Sequence, residues 1–209
     1  MTFEEYINSH LEKEPEYLSL IARKANVQLL NPRMQSGYYQ GRLLKILTRI
    51  INPKNVLEIG TFSGYSTLCI AEGVSENTHI HTIEIDDELE DFINENFALS
   101  PFKHKITLHI GDALKIIPDF SQTFDLVFID GDKREYQKYF DMVLPKLSNN
   151  GVILVDNTLW NGKILETPKN NDYQTKNIID FNAYIANYQE IEQIILPVRD
   201  GLTIIIKKF

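Results

Sequence analysis

Two short apolar runs end abruptly on oxygen-bearing side chains. Leu126-Val127-Phe128-Ile129 stops at Asp130, and Val152-Ile153-Leu154-Val155 stops at Asp156-Asn157. Runs of this length and β-branched content read as central strands of a parallel sheet, apolar on both faces. In such sheets ligands gather at the carboxyl ends of the strands. Asp130, Asp156 and Asn157 would bring two carboxylates and an amide carbonyl there, three hard oxygen donors suited to Mg²⁺, Mn²⁺ or Ca²⁺. A lone strand-end Asp can equally cap the helix that follows. Asp156-Asn157 fits that role less well, because a second polar group follows directly and no helical pattern does.

The second constellation is Glu58-Ile59-Gly60-Thr61-Phe62-Ser63-Gly64-Tyr65-Ser66. Gly60 and Gly64 allow a sharp turn and a close backbone approach to a ligand. The spacing matches neither G-x-G-x-x-G nor a phosphate loop ending in Gly-Lys, so the loop suits a nucleoside without a pyrophosphate. A plain strand-to-helix turn is the other reading. Glu84, 24 positions after Gly60, can accept both hydroxyls of a ribose, the role of an acid about 20 residues beyond the loop in nucleotide folds. Gly111-Asp112-Ala113 would offer an adenine edge a polar side chain and a backbone amide. Asp86, Asp87 and Asp132 read as helix starts.

These residues need a scaffold of alternating strands and helices. Residues 14–26 and 39–51 carry apolar side chains at helical spacing. Strands are expected at 55–59, 79–85, 106–110, 125–130 and 152–156, with helices near 64–73, 87–98, 133–147 and 175–188. That alternation implies βαβ units and a parallel sheet. Runs 191–198 and 202–208 flank Asp200-Gly201, a hairpin that would add an antiparallel edge. Seven strands in one α/β domain over 1–209 follow, with N-terminal helices over 1–52 and the α/β core over 53–209.

Bulk properties fit an enzyme. The 209 residues are 43% apolar and 24% charged, within the range of globular proteins. No apolar stretch approaches the roughly 18 residues of a membrane span. The acidic N-terminus lacks a signal-peptide layout, and Cys69, the only cysteine, rules out an intrachain disulfide. A cytoplasmic protein is expected. The formal charge of −8 argues against nucleic acid or anionic membrane as partner. His10, His79, His81, His104 and His109 show no metal-ligand spacing.

The ordered set of motifs resembles the cation-dependent, S-adenosylmethionine-dependent O-methyltransferases, the group of catechol and caffeoyl-coenzyme A O-methyltransferases. The resemblance runs from about Asn31 to Lys208. It rests on Met34-Gln35-Ser36-Gly37, the Glu58-to-Ser66 loop, Thr82-Ile83-Glu84, Gly111-Asp112-Ala113, Phe128 to Lys133, and Asp156-Asn157-Thr158-Leu159-Trp160-x-Gly162. It implies a Rossmann-like methyltransferase fold with helices on both faces of the sheet.

By that resemblance, Asp130, Asp156 and Asn157 hold the divalent cation, Mg²⁺ foremost. Asp130 also nears the methionine part of S-adenosylmethionine. Glu58, Gly60, Phe62, Gly64 and Ser66 line its amino-acid end, with Ser36 closing over it. Glu84 takes the ribose, and Asp112 with Ala113 the adenine. Lys133 falls at the general base, and a homodimer is implied. Thr158 departs from the family pattern, where an apolar residue is commoner. The segment 163–175 carries nothing over.

The chemistry agrees with these roles. A methyl sulfonium is already a strong electrophile, so positioning an oxygen nucleophile is the main task. Two adjacent hydroxyls can chelate a cation, which lowers the hydroxyl pKa. Lys133 could take the proton if its own pKa were depressed; an exposed first-turn lysine is the alternative. Trp160 could wall a flat acceptor or pack on the sheet edge. The expected acceptor is a catechol- or caffeoyl-like phenol. Other readings are a hydroxylated nucleoside in RNA, a metal-dependent phosphohydrolase using Asp130, an NAD-dependent oxidoreductase, and a non-catalytic cofactor-binding module.

Overall fold

The computed structural model describes residues 2–208. Three helices come first: α1 (Phe3–Ser9), α2 (Glu16–Gln28) and α3 (Tyr38–Ile51). Thr2 and Glu5 cap α1 reciprocally, each side chain accepting from the other's backbone N–H at 3.2 and 2.7 Å, which satisfies donors a helix start leaves open. The alternating part runs β1 (Asn55–Ile59), α4 (Tyr65–Gly73), β2 (His79–Glu84), α5 (Glu90–Ala98), β3 (Ile106–Ile110), α6 (Ala113–Ile116), β4 (Phe124–Ile129), α7 (Tyr136–Val143), β5 (Leu147–Asp156) and α8 (Tyr173–Ala186). It closes with β6 (Ile191–Leu196) and β7 (Leu202–Lys207).

The seven strands lie in the order β3-β2-β1-β4-β5-β7-β6. β1 pairs in parallel with both β2 and β4, and β7 runs antiparallel to both β5 and β6. The chain winds outward from β1 to β3, then crosses back to β4. That reversal opens a crevice above the carboxyl ends of β1 and β4, where open α/β sheets bind ligands.

Alternate residues of β4 feed opposite cores. Val127 and Ile129 pack with Tyr136, Phe140 and Val143 of α7 and Phe181 of α8. Leu126 and Phe128 pack with Leu44 of α3 and Ile70 of α4. All four β4 side chains are completely buried, worth about 1.5–3 kcal/mol each by transfer from water. Burial on two faces is why these strands read as unbroken apolar runs.

Seven strands, the parallel core and the antiparallel hairpin agree with expectation. Three details differ. β5 starts at Leu147, because the polar Ser148-Asn149-Asn150 stretch hides its first half and the β4–β5 register shifts between Phe124 and Leu126. The expected helix at 133–147 is α7 flanked by tight 3-10 turns at Lys133–Glu135 and Leu144–Lys146, the second carrying Pro145. α6 spans four residues, too few to show a period. Asp86 and Asp132 are caps as read, accepting from Glu88 N and Arg134 N at 3.1 and 3.0 Å. Cys69 is completely buried, which pushes its thiol up to about 12. Among the described residues no helix is long and apolar enough to cross a membrane.

Candidate active site

The β1–α4 loop is built on two left-handed glycines and a buried acid. Gly60 has φ +96°, and a Cβ there would strike the backbone carbonyl of Asp130, so the ends of β1 and β4 touch. Gly64 has φ +78° and starts α4 against the ring of Phe97, 2.5 Å from where a Cβ would sit. Between them, the backbone N–H groups of Thr61 and Phe62 donate to Glu84 Oε2 at 3.1 and 2.7 Å. Glu84 Oε1 accepts from Ile85 N and Asp86 N at 2.9 and 3.0 Å. Four backbone donors thus hold the two carboxylate oxygens, and Glu84 shapes the loop.

Glu58 lies beneath this loop, completely buried. Ser66 and Thr82 hydroxyls donate to it at 2.6 Å each, and the Thr67 hydroxyl does so too. Burial pushes its carboxyl up to about 7; the three hydroxyls oppose that rise, and the charge of Asp130 adds to it. Glu58 and Ser66 therefore form one unit that anchors the start of α4. Ser63 Oγ donates to Gln35 Oε1 at 2.8 Å, tying the loop to the segment that carries the buried Ser36. At the end of β3, Gly111 N donates to Glu84 O at 2.7 Å, and Asp112 caps α6 by accepting from Leu114 N at 2.9 Å. Ala113 is buried behind it.

Asp130 and Asp156 leave adjacent parallel strands side by side, each one residue past the paired Ile129 and Val155. Lys133 Nζ donates to Asp130 Oδ1 at 2.7 Å and to Gly131 O at 3.1 Å. Burial works against the Lys133 charge, but Asp130 outweighs it and holds the ammonium well above its ordinary value. That is the opposite of the depression a neutral base needs. Asp156 is 4% exposed. Burial foremost, then the charge of Asp130, push its carboxyl up, against the pull of Gln40, Lys133 and the Asn157 amide. Asn157 follows at φ +57°, a left-handed turn that Asn tolerates. Two converging carboxylates and an amide carbonyl are the oxygen donors open to a hard divalent cation. Burial and the charge of Asp130 oppose ionisation of Asp156, a cost that a bound cation would relieve.

Strain gathers around the same crevice. Among the described non-glycine residues with positive φ, all but Asn52 lie in these loops: Phe62, Asn157, Trp160, Asn161 and Arg199. Such conformations persist where the surroundings over-determine them, characteristically at ligand sites. Thr158 is buried, and its hydroxyl accepts from Thr203 Oγ1 of β7 at 2.8 Å, so the polar residue costs no unpaired group. Trp160 has the Lys163 ammonium 5.7 Å from its ring. The 163–175 segment leads from a 3-10 turn into α8.

Three residues of this site are not evident from the sequence. Tyr136 donates its hydroxyl to Asp156 O at 3.0 Å. Gln40 Nε2 donates to Asp156 Oδ2 at 2.6 Å, and Arg199 Nη1 donates to Gln40 Oε1 at 3.0 Å. The one available signal was a glutamine on the buried face of α3, a turn before Leu44. The histidines stay outside the site. His81 Nδ1 and His109 Nε2 lie 3.0 Å apart, and among the described residues no group of three or more His, Cys, Asp or Glu could hold a metal.

Comparison with known proteins agrees with this geometry. A family model described as O-methyltransferase matches residues 8–208. A caffeoyl-CoA O-methyltransferase of Medicago sativa is 32% identical over 182 residues, covering 82% of this chain and 74% of that protein. The SAH-bound methyltransferase PaMTH1 of Podospora anserina superposes with a TM-score of 0.91 at 27% identity, covering 99% of this chain and 94% of that one. An O-methyltransferase of Bacillus cereus in complex with SAH gives a TM-score of 0.90 at 26% identity, with 98% and 96% covered. The chain belongs to the O-methyltransferase family and is an S-adenosylmethionine-dependent O-methyltransferase.

Proposed function

We propose that this enzyme methylates a phenolic hydroxyl next to a second hydroxyl, assisted by a divalent cation held by Asp130, Asp156 and Asn157. One observation carries the reading: two acids end the adjacent strands β4 and β5, the buried Asp156 near enough to Asp130 to feel its charge, with the Lys133 ammonium on Asp130. Both hydroxyl oxygens would chelate a cation there, which would lower the pKa of the one to be methylated. The caffeoyl-CoA O-methyltransferase of Medicago sativa among the relatives favours a caffeoyl- or catechol-like ring.

The chain's own residues have distinct parts. Glu58, Gly60, Phe62, Gly64 and Ser66 form the wall for the amino-acid end of S-adenosylmethionine, and Ser36 closes over it. Glu84 shares its oxygens with the ribose hydroxyls, while Asp112 and Ala113 border the adenine. Lys133 Nζ would accept the phenolic proton only as the neutral amine, so its own proton must first leave to solvent when a cation takes its place on Asp130. The phenolate oxygen then attacks the methyl carbon in line, the carbon–sulfur bond breaks, and the sulfur leaves as a neutral thioether. Trp160 lies where a flat ring can stack. Val27, Leu30 and Ile50, on α2, the loop after it and α3, are exposed apolar side chains that a homodimer would cover.

Labelled methyl transfer from S-adenosylmethionine to catechol and to a caffeoyl thioester, with Mg²⁺ and with EDTA, tests this reading. Transfer that stops with EDTA is expected. Transfer that continues in EDTA would leave the methyltransferase intact and remove Asp130, Asp156 and Asn157 from cation binding.

A further inference from the structure

Gln40 is 1% exposed, on the inner face of α3. A buried primary amide is costly unless both its donor and acceptor ends are paired. Here each end meets a group that allows only one orientation. Asp156 Oδ2, as a carboxylate oxygen, can only accept, and takes the bond from Gln40 Nε2 at 2.6 Å. Arg199 Nη1 can only donate, and gives its bond to Gln40 Oε1 at 3.0 Å. Turning the amide over would set donor against donor and acceptor against acceptor. The amide is thus a fixed link between a cation and a carboxylate.

Arg199 reaches this point from the turn between β6 and β7. Its backbone is left-handed, with φ +48°, which disfavours a residue with a Cβ. The turn is docked on the loop that follows Asn157. Thr158 N donates to Gly201 O at 3.2 Å, and Leu159 N and Trp160 N donate to Asp200 O at 2.7 and 3.0 Å. The guanidinium also lies along Gly37, where a Cβ would sit 3.5 Å from Nη1. Asp156 Oδ1 meanwhile accepts from Asn157 N at 2.8 Å. Both carboxylate oxygens are therefore held by protein donors, each keeping a lone pair for another partner.

We propose that Gln40 and Arg199 are positioning residues for the cation site. Arg199 orients the Gln40 amide, and the amide orients the Asp156 carboxylate, so that affinity for the divalent ion depends on both in series. The proposal rests on the reading of Asp156 as a cation ligand. Hydrogen-bonded partners of metal ligands commonly change affinity by about 10–100-fold when removed.

The test is Mn²⁺ binding, followed by electron paramagnetic resonance of free Mn²⁺ in the presence of SAH. Wild type, Gln40→Met, Arg199→Gln and the double variant are compared, with SAH affinity and thermal midpoint measured on each. Gln40→Met should weaken Mn²⁺ binding about 10-fold or more, while SAH affinity holds. Arg199→Gln should weaken it in the same direction by less. The double variant should match Gln40→Met alone, because residues acting in series do not add. Turnover at limiting Mn²⁺ should fall and recover at saturating Mn²⁺. Unchanged Mn²⁺ affinity in both single variants, or additive losses in the double, would overturn the relay. Should Gln40→Met fail to fold, the exposed Arg199→Gln decides alone. A wild type that binds no Mn²⁺ would instead overturn the cation site, and the relay with it.

Discussion

The two halves of the crevice treat buried acids in opposite ways. Over β1 and β2, Glu58 and Glu84 are held by hydroxyls and backbone N–H groups, which are neutral dipoles. Over β4 and β5, the charge of Asp130 raises the cost of ionising Asp156, and Lys133 with the Gln40 amide offsets that only in part. The first half is held within the chain by hydrogen bonds to neutral groups. In the second, the charge of Asp130 bears on a buried acid beside a strained loop. A fold can store readiness for a neutral or zwitterionic ligand as hydrogen-bond geometry, and readiness for a cation as a buried acid whose ionisation a neighbouring charge opposes.

Removing a carboxylate from the second half breaks the comparison most severely. Asp156→Ala should lower cation-stimulated transfer at least about 10³-fold, matching the several kcal/mol a Lewis acid supplies, with SAH affinity near that of wild type in a titration. Intact transfer would make the pairing of the two acids an accident of packing. Lys133→Ala should cut turnover about 100-fold, a common share for proton transfer, again without loss of SAH binding; unaltered turnover would end its role as base.

In the first half the expected losses concern binding and folding. Glu84→Ala should weaken SAH binding about 10-fold or more and lower the thermal midpoint, since it strands four backbone N–H groups that each cost about 1–3 kcal/mol when left unpaired and dry. Unchanged SAH affinity would show the ribose assignment to be wrong. Glu58 sharpens the comparison through pH. Its folded pKa, about 7, lies above the ordinary 4.5, so the folded state keeps a proton that the unfolded chain gives up. Its contribution is present below the ordinary value and is lost as pH rises through about 7. Glu58→Gln should therefore flatten the fall in unfolding free energy between these pH values, read from denaturant midpoints. An identical slope in wild type and variant would mean that the hydroxyls keep Glu58 ionised throughout. Smallest is Thr203→Val, which removes the bond to Thr158 and should cost about 1 kcal/mol with no change in SAH affinity.

Much of this was legible in one dimension because the relevant signals are local. Val56 to Ser66 announces a strand, a tight turn and a helix through residue types alone. Leu126 to Asp130 and Val152 to Asn157 announce buried strands that stop on oxygen donors. Asp200-Gly201 marks the hairpin. Lys133 was legible as a candidate by its spacing from Asp130, yet its charge state was not, because ion pairing and burial are properties of the packed site. Glu84 was legible as a candidate ribose acceptor by its distance from Gly60, but its bonds to Thr61 and Phe62 form only when β1 and β2 lie in register.

Residue type, period and spacing by themselves determined the α/β class, the seven strands and the set of groups gathered at the strand ends. Backbone preference and hydrophobic period act over a few residues, and the sequence displays them directly. Only the tertiary structure decided how those groups are charged and held. Gln40 and Asp156 are separated by 116 positions and Arg199 and Gln40 by 159, and no local pattern encodes such a pairing. The energy of a buried charge depends on what surrounds it in space, and that is known only once the chain has closed around it.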